Sequence, residues 1–317
     1  MAHFTAQPVT SGMAGARRGA LRRSEALWFY IFVAPWMVGF LLLVAGPMLA
    51  SLFLSFTEYQ VVSPPQWVGL GNYRSLLADK LFLQSLKVTA YYTLLSVPLS
   101  VFFAIVIALL LNQRIPLVSL WRTVYYLPSI TPGVAVALMW SWIFQPNFGL
   151  VNVTLYSLFG IQGPRWLLDT QWVIPTFVIM SLWGFGGPML IYLAAMQGVP
   201  SQLYEAAEID GATRIQMMYK ITIPLITPVI FFNLVMNLIS SFQVFTNAYV
   251  ITQGGPNYAS YFYVLYLFQN AFQYFRMGFA SAQAWILFVI VMTLTLLAFR
   301  SQRYWVYYEG SPQEEKR

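Results

Sequence analysis

Glu205, Glu208, Asp210, Arg214 and Lys220 put five charged side chains into sixteen consecutive residues of a chain that is only 9% charged. Acids and bases crowded onto a short exposed helix can form charge-assisted hydrogen bonds with another protein. They do not make a catalytic set. The single histidine, His3, lies far off in a polar N-terminal stretch, and no nucleophile stands beside a base. A second set is neutral: Asn233, Asn237, Ser240, Ser241 and Asn247 recur at intervals of three, four and six or seven residues inside an apolar run. That periodicity predicts one face of a helix. Amides in hydrocarbon need partners, so the stripe either holds neighbouring helices or lines a route for a polar, uncharged solute; the sequence leaves both open. Trp183, with Trp140 and Trp142, adds flat apolar faces of the kind that suit the C–H face of a sugar ring.

Other chemistry is missing. There is no cysteine, hence no disulfide and no thiolate metal site. No G-x-x-x-x-G-K-[ST] phosphate loop occurs, and Gly-Lys is absent as a dipeptide. The stretch WGFGGP, 183–188, has glycines but lies inside an apolar run with no strand before it; it predicts a break or close-packing point in a helix. Ion-driven carriers keep ionisable groups at mid-membrane despite a penalty of roughly 2.5–3.5 kcal/mol each. The apolar runs here hold none, which counts against an ion-coupled carrier, a proton pump and a voltage sensor. Sodium held by backbone carbonyls leaves no charge signature and stays open.

The elements that position these groups follow from composition. With 59% hydrophobic residues and a mean hydropathy of +0.64, the chain reads as an integral membrane protein. Six runs are long enough to cross a bilayer: 27–54, 88–111, 123–144, 172–196, 225–251 and 279–299. The first is too long for a secretory signal, although Arg17, Arg18, Arg22 and Arg23 precede it. With the N-terminus inside, the inner segments carry 12 Lys and Arg and the outer loops 5. Positive residues concentrate on the cytoplasmic side, so both termini are expected there. The +7 net charge is then a topology signal and no sign of nucleic acid. Counting 261–275 as a seventh span would reduce the bias to 9 against 8; this aromatic stretch is expected to be an interfacial helix instead. Short helices at the outer surface are predicted over 148–160 and 71–87. Pro35, Pro47, Pro98, Pro128, Pro132, Pro175, Pro188 and Pro228 fall within five of the spans and are expected to kink or break them.

The charged stretch sits between the fourth and fifth spans, on the cytoplasmic side. Pro200 and Ser201 start a helix, QLYEAAEID fills about two turns, and Gly211 takes the positive φ that ends it. Ile215, Met217 and Met218 give the second leg an adaptable apolar surface. The result is a helix–turn–helix knob that either docks a partner or rests on headgroups.

The spacing Glu205-Ala206-Ala207, three residues, Gly211, nine residues, Ile221-x-Ile223-Pro224 resembles the cytoplasmic EAA loop of ABC importer permeases, with Ile223 where leucine is usual. GLGNYRSLL (69–77), YYLPSITPGVAVALMWSWIF (125–144), FGLVN (148–152), ITQGGP (251–256) and GFASAQAWIL (278–287) are similar to the carbohydrate-importer branch, typified by the larger maltose-transporter membrane subunit. The resemblance covers 27–299. It implies an all-α membrane protein of the type I permease fold: six transmembrane helices over 27–299, the coupling loop at about 200–224, and cytoplasmic tails at 1–26 and 300–317. It implies no catalysis in this chain. ATP and Mg would be bound by two partner ATPase subunits, a second permease would complete the pore, and an extracytoplasmic solute-binding protein would deliver a sugar. Tyr204, Glu205, Ala206, Ala207, Asp210, Gly211 and Met217 would couple to the ATPase. The setting implied is a bacterial or archaeal cytoplasmic membrane. A glycerol-phosphate importer and a stand-alone carrier are the alternatives. A phosphate dianion calls for Arg or Lys near the route, and the spans have none, which favours a neutral saccharide.

Overall fold

The computed structural model describes residues 11–113 and 115–308; His3, Arg114, Lys316 and Arg317 lie outside them. α1 (Ser11–Phe40) runs through a π-helical turn, Leu41–Ala45, into α2 (Gly46–Ser55). The only strands among the described residues, β1 (Thr57–Glu58) and β2 (Gln66–Trp67), form a small antiparallel hairpin, and the other elements are helices. α3 (Gly71–Ala78), α4 (Lys80–Leu111), α5 (Val118–Ile130), α6 (Gly133–Ile143), α7 (Leu150–Phe159), α8 (Val173–Leu182) and α9 (Gly186–Gln197) follow. Then come α10 (Ser201–Ile209), α11 (Arg214–Met217), α12 (Ile223–Ser241), α13 (Tyr263–Phe268) and α14 (Met277–Trp305).

Among the described residues, four unbroken runs are long and apolar enough to cross a membrane: Leu27–Ser55, Lys80–Leu111, Arg214–Ser241 and Met277–Trp305. The pair α8 and α9, bent by 45°, makes a fifth when counted as one. The predicted run 123–144 is not one helix. Pro132 has no N–H to continue α5, and Thr131 before it is extended at φ −77, ψ 136. α5 and α6, at 13 and 11 residues, each fall short of the roughly 20 that a crossing needs. The expected break at 183–188 is present, with turns at Trp183, Gly184 and Phe185.

The prolines divide into two groups. Pro35, Pro98, Pro128 and Pro228 sit inside helices. Pro132, Pro175 and Pro188 stand at helix starts, where a missing N–H costs nothing; Pro47 falls with the first group, because α2 continues the unbroken run Leu27–Ser55. Two π-helical turns, Leu41–Ala45 and Met218–Thr222, come just before Pro47 and Pro224. A one-residue bulge shifts the hydrogen-bond ladder where proline cannot supply its donor.

α4 is the central post, packing against α8, α9, α12 and α13. Its buried positions Ser85, Thr89, Thr93, Val97, Val101, Ala104, Ala108 and Leu111 follow helical spacing and are mostly small, which lets neighbouring backbones approach. The core has two tiers. An aromatic tier gathers Phe82, Tyr92, Phe177, Phe262 and Tyr263. The other, with Ala104, Ala108, Met189, Tyr192, Leu193 and Ile226, lies towards the charged knob. By contrast, none of the most apolar stretch of Leu27–Ser55 is buried within the chain, and only α2 packs closely, along α14. A face this apolar and open belongs in hydrocarbon or against another subunit.

The first part of 261–275 departs from the interfacial expectation, while Phe272, Tyr274 and Phe275 stay exposed. Tyr261, Phe262, Tyr263, Leu265 and Tyr266 are buried. This part wedges between α4 and α14, where the Tyr263 N–H donates to Thr89 Oγ1 at 2.9 Å and its hydroxyl to the Gln283 carbonyl at 2.8 Å. Aromatic composition alone does not separate a headgroup belt from a packed wedge.

Asp79 pins this wedge. It divides the predicted 71–87 helix in two, capping α4 by accepting from the N–H groups of Leu81 (2.8 Å) and Phe82 (3.4 Å). Its other carboxylate oxygen accepts from the Tyr266 hydroxyl. Asp79→Ala removes a cap and leaves a phenol unpaired, and is expected to cost about 1–3 kcal/mol. It should unfold at lower temperature in detergent than the wild type or Asp79→Asn, which still caps; an unchanged transition in Asp79→Ala would refute the pinning role.

Candidate functional site

The knob is built by two local codes. Pro200, at φ −58 and ψ 130, turns the chain out of α9 and begins α10. α10 ends in a double bond pattern, with the Gly211 N–H donating to the Glu208 carbonyl (3.0 Å) and the Ala212 N–H to the Ala207 carbonyl (2.9 Å). That is a Schellman motif, and its C′ residue must be left-handed; Gly211 is, at φ +75. Two residues later Thr213 caps α11. Its hydroxyl accepts from the Gln216 N–H (3.3 Å), while the Gln216 side chain accepts from the Thr213 N–H (2.7 Å). The sequence signal for this capping box is T-x-x-Q at 213–216.

The second leg is mechanically continuous with the membrane. α11 flows through Met218–Thr222 into α12, so Arg214–Ser241 is a single helical run. Tyr204 does not present its hydroxyl outward: it is half-buried and shares a 2.9 Å hydrogen bond with the Thr222 hydroxyl, strutting α10 against the base of the second leg. Glu205, Ala206, Glu208 and Asp210 are exposed, Ala207 is half-buried and Met217 is buried. Between the legs lies a concavity of about 380 Å³ lined by Ala207, Asp210, Gly211, Ala212, Met217 and Lys220 among others. Ile209, Ile215 and Tyr219 are 87%, 68% and 66% exposed. Apolar side chains this open on a charged knob mark a contact surface, for another protein or for the membrane.

The neutral stripe is less coherent than its spacing predicts. α12 ends at Ser241, so Asn247, beyond the turn at Phe242 and Gln243, is not on that helical face. Asn233 is buried and donates to the Val229 carbonyl of its own helix (3.0 Å); Ser241 is buried and donates to Leu238 (2.8 Å). Asn237 is partly exposed and Ser240 exposed. Trp183 caps α8 and meets Trp140 edge to face at 5.8 Å. The Trp140 indole nitrogen is buried without a hydrogen-bond partner among the described residues.

Residues 96–306 match the family described as binding-protein-dependent transport system inner membrane component. The chain is 46% identical over 295 residues to the probable ABC transporter permease protein YesP of Bacillus subtilis, covering 92% of this chain and 95% of that one. It is 30% identical to the trehalose/maltose transport system permease protein MalF of Thermococcus litoralis, covering 90% and 96%. Among solved structures, a bacterial alginate ABC transporter in complex with an alginate pentasaccharide-bound periplasmic protein contains a chain that superposes with a TM-score of 0.79 at 25% identity, covering 88% and 95%. A bent and broken helical bundle carrying a knob that turns at Gly211, matched along nearly its whole length by such relatives, belongs to the family of binding-protein-dependent transport system inner membrane components, among the permeases of sugar ABC transporters.

Proposed function

We propose that this chain is one of two membrane subunits of an ATP-driven importer that takes a saccharide from an extracytoplasmic binding protein. It would pair with a second, homologous permease. Two ATPase subunits would carry ATP and Mg, and one of them would receive the knob at 200–224 with its Glu205, Ala206, Ala207, Asp210 and Gly211 surface. In this reading the chain crosses the cytoplasmic membrane six times, with α5–α6 as one broken crossing and α8–α9 as another. Both termini then lie on the knob's side. The observation that carries the reading is the knob itself: a preformed helix–turn–helix with exposed apolar side chains, whose second leg is the start of a membrane helix. A push on it reaches the bundle without crossing a flexible joint.

The saccharide class rests on the relatives, whose cargo includes trehalose and maltose in one case and the acidic polysaccharide alginate in another. That an acidic cargo is carried on the same fold means the absence of charge from these spans does not by itself select a neutral sugar. The test is reconstitution with the partner permease, the ATPase subunits and the binding protein. Uptake should require all of them, and uptake by this chain alone would favour a stand-alone carrier. Within that assembly, Asn237→Leu is expected to reduce uptake about tenfold, the scale of one or two lost polar contacts to solute. Unchanged uptake with normal assembly would assign Asn237 to helix packing.

A further inference from the structure

α12 begins with a defect. Pro228 has no N–H, so the Pro224 carbonyl four residues earlier loses its helical donor. The Thr227 hydroxyl replaces it, donating to that carbonyl at 2.6 Å. This fixes the hydroxyl proton inward and leaves the oxygen's lone pairs free to accept. They accept from the Tyr307 N–H at 2.8 Å, eighty residues along the chain and just past the end of α14. The chain leaves the helix at Val306, which is extended at φ −88, ψ 125. Val306 is 7% exposed, packed with Phe231 and Val235 of α12. The Phe231 ring meets Phe299 edge to face at 5.1 Å and Trp305 at 6.0 Å.

We propose that residues 305–307 clasp the foot of α12 and make Thr227 a positioning residue for coupling. The clasp holds the inner ends of α12 and α14 together, so that displacement of the knob carries the last helix with the fifth membrane run. At its other end α14 is fixed as firmly: the Gly278 N–H donates to the Tyr59 carbonyl at 3.2 Å, and a Cβ at Gly278 would collide with the Thr57 carbonyl. A helix held at one end by the hairpin and at the other by the clasp can transmit knob motion across the bilayer. The transmission rests on the proposed coupling function; the clasp does not.

The experiment separates the two. The chain has no cysteine, so Thr227→Cys with Tyr307→Cys, placed where the two residues meet at 2.8 Å, should form an oxidative cross-link in the purified chain, and Met236→Cys with Tyr307→Cys should not. Failure of the first pair to cross-link overturns the clasp whatever the protein transports. In the reconstituted importer, Thr227→Val keeps the shape and loses both hydrogen bonds. It should lower the sugar taken up per ATP hydrolysed about fivefold, the population change expected for one hydrogen bond, with Thr227→Ser restoring it. The cross-linked protein should still transport, because the clasp moves as a unit. Wild-type coupling in Thr227→Val, or transport abolished by the cross-link, overturns the positioning role.

Discussion

Gly211→Val is expected to leave the chain inserted and assembled, to leave ATP hydrolysis running, and to cut uptake on the order of a hundredfold. A Cβ at Gly211 would meet nothing within 4 Å, so crowding is not the reason. The reason is its φ of +75. A left-handed residue with a side chain costs roughly 1–2 kcal/mol, and more when β-branched. Relaxing to a negative φ would break the two bonds from Gly211 and Ala212 to Glu208 and Ala207, at about 1 kcal/mol each. Either course disfavours the native angle between α10 and α11 by about 2–4 kcal/mol. Asparagine tolerates the left-handed region, so Gly211→Asn should retain most uptake and Gly211→Ala should fall between. Parallel assays of ATP hydrolysis and solute uptake in proteoliposomes check this order. Normal uptake in Gly211→Val would remove the knob from the coupling route.

The knob was legible because its codes are local. Pro200, Gly211 and the small Ala206 and Ala207 specify start, stop and shape within a dozen residues. The continuous spans were legible because hydrocarbon imposes a length and excludes charge. What sequence did not reveal is set across the chain. Tyr204 reads as an exposed contact until Thr222, eighteen residues on, receives its hydroxyl. The aromatic wedge at 261–266 reads as an interface belt until Asp79 and Thr89 supply its partners. Asn247 fits a helical face only while the helix continues, and nothing between Ser241 and Asn247 except Gln243 announces the turn. Thr131–Pro132 did announce one, but 123–144 is apolar enough throughout to read as a single span.

Gly186 provides the sharpest packing test. It begins α9 directly against α5, and a Cβ there would fall on the Tyr125 carbonyl and the Tyr126 Cα. Those are backbone atoms, so no rotamer change relieves the clash. Even Gly186→Ala must part the two helices, at the upper end of the 1–3 kcal/mol usual for overpacking, and Gly186→Leu should prevent stable assembly. The adjacent Gly187 is the control, since its Cβ would meet nothing within 4 Å. With no positive φ to preserve, Gly187→Ala should be neutral or stabilise by about 0.5–1 kcal/mol through the unfolded chain. Yield of monodisperse protein and its thermal transition in detergent measure both, and a wild-type transition in Gly186→Ala would contradict the close crossing. The consequence reaches the coupling surface. α9 runs through Gly198, Val199 and Pro200 straight into α10, so the α5–α9 crossing sets where the first leg of the knob leaves the membrane. A milder substitution that folds, Gly186→Ala in a stabilising lipid, should therefore displace the knob and lower uptake while Gly187→Ala does not.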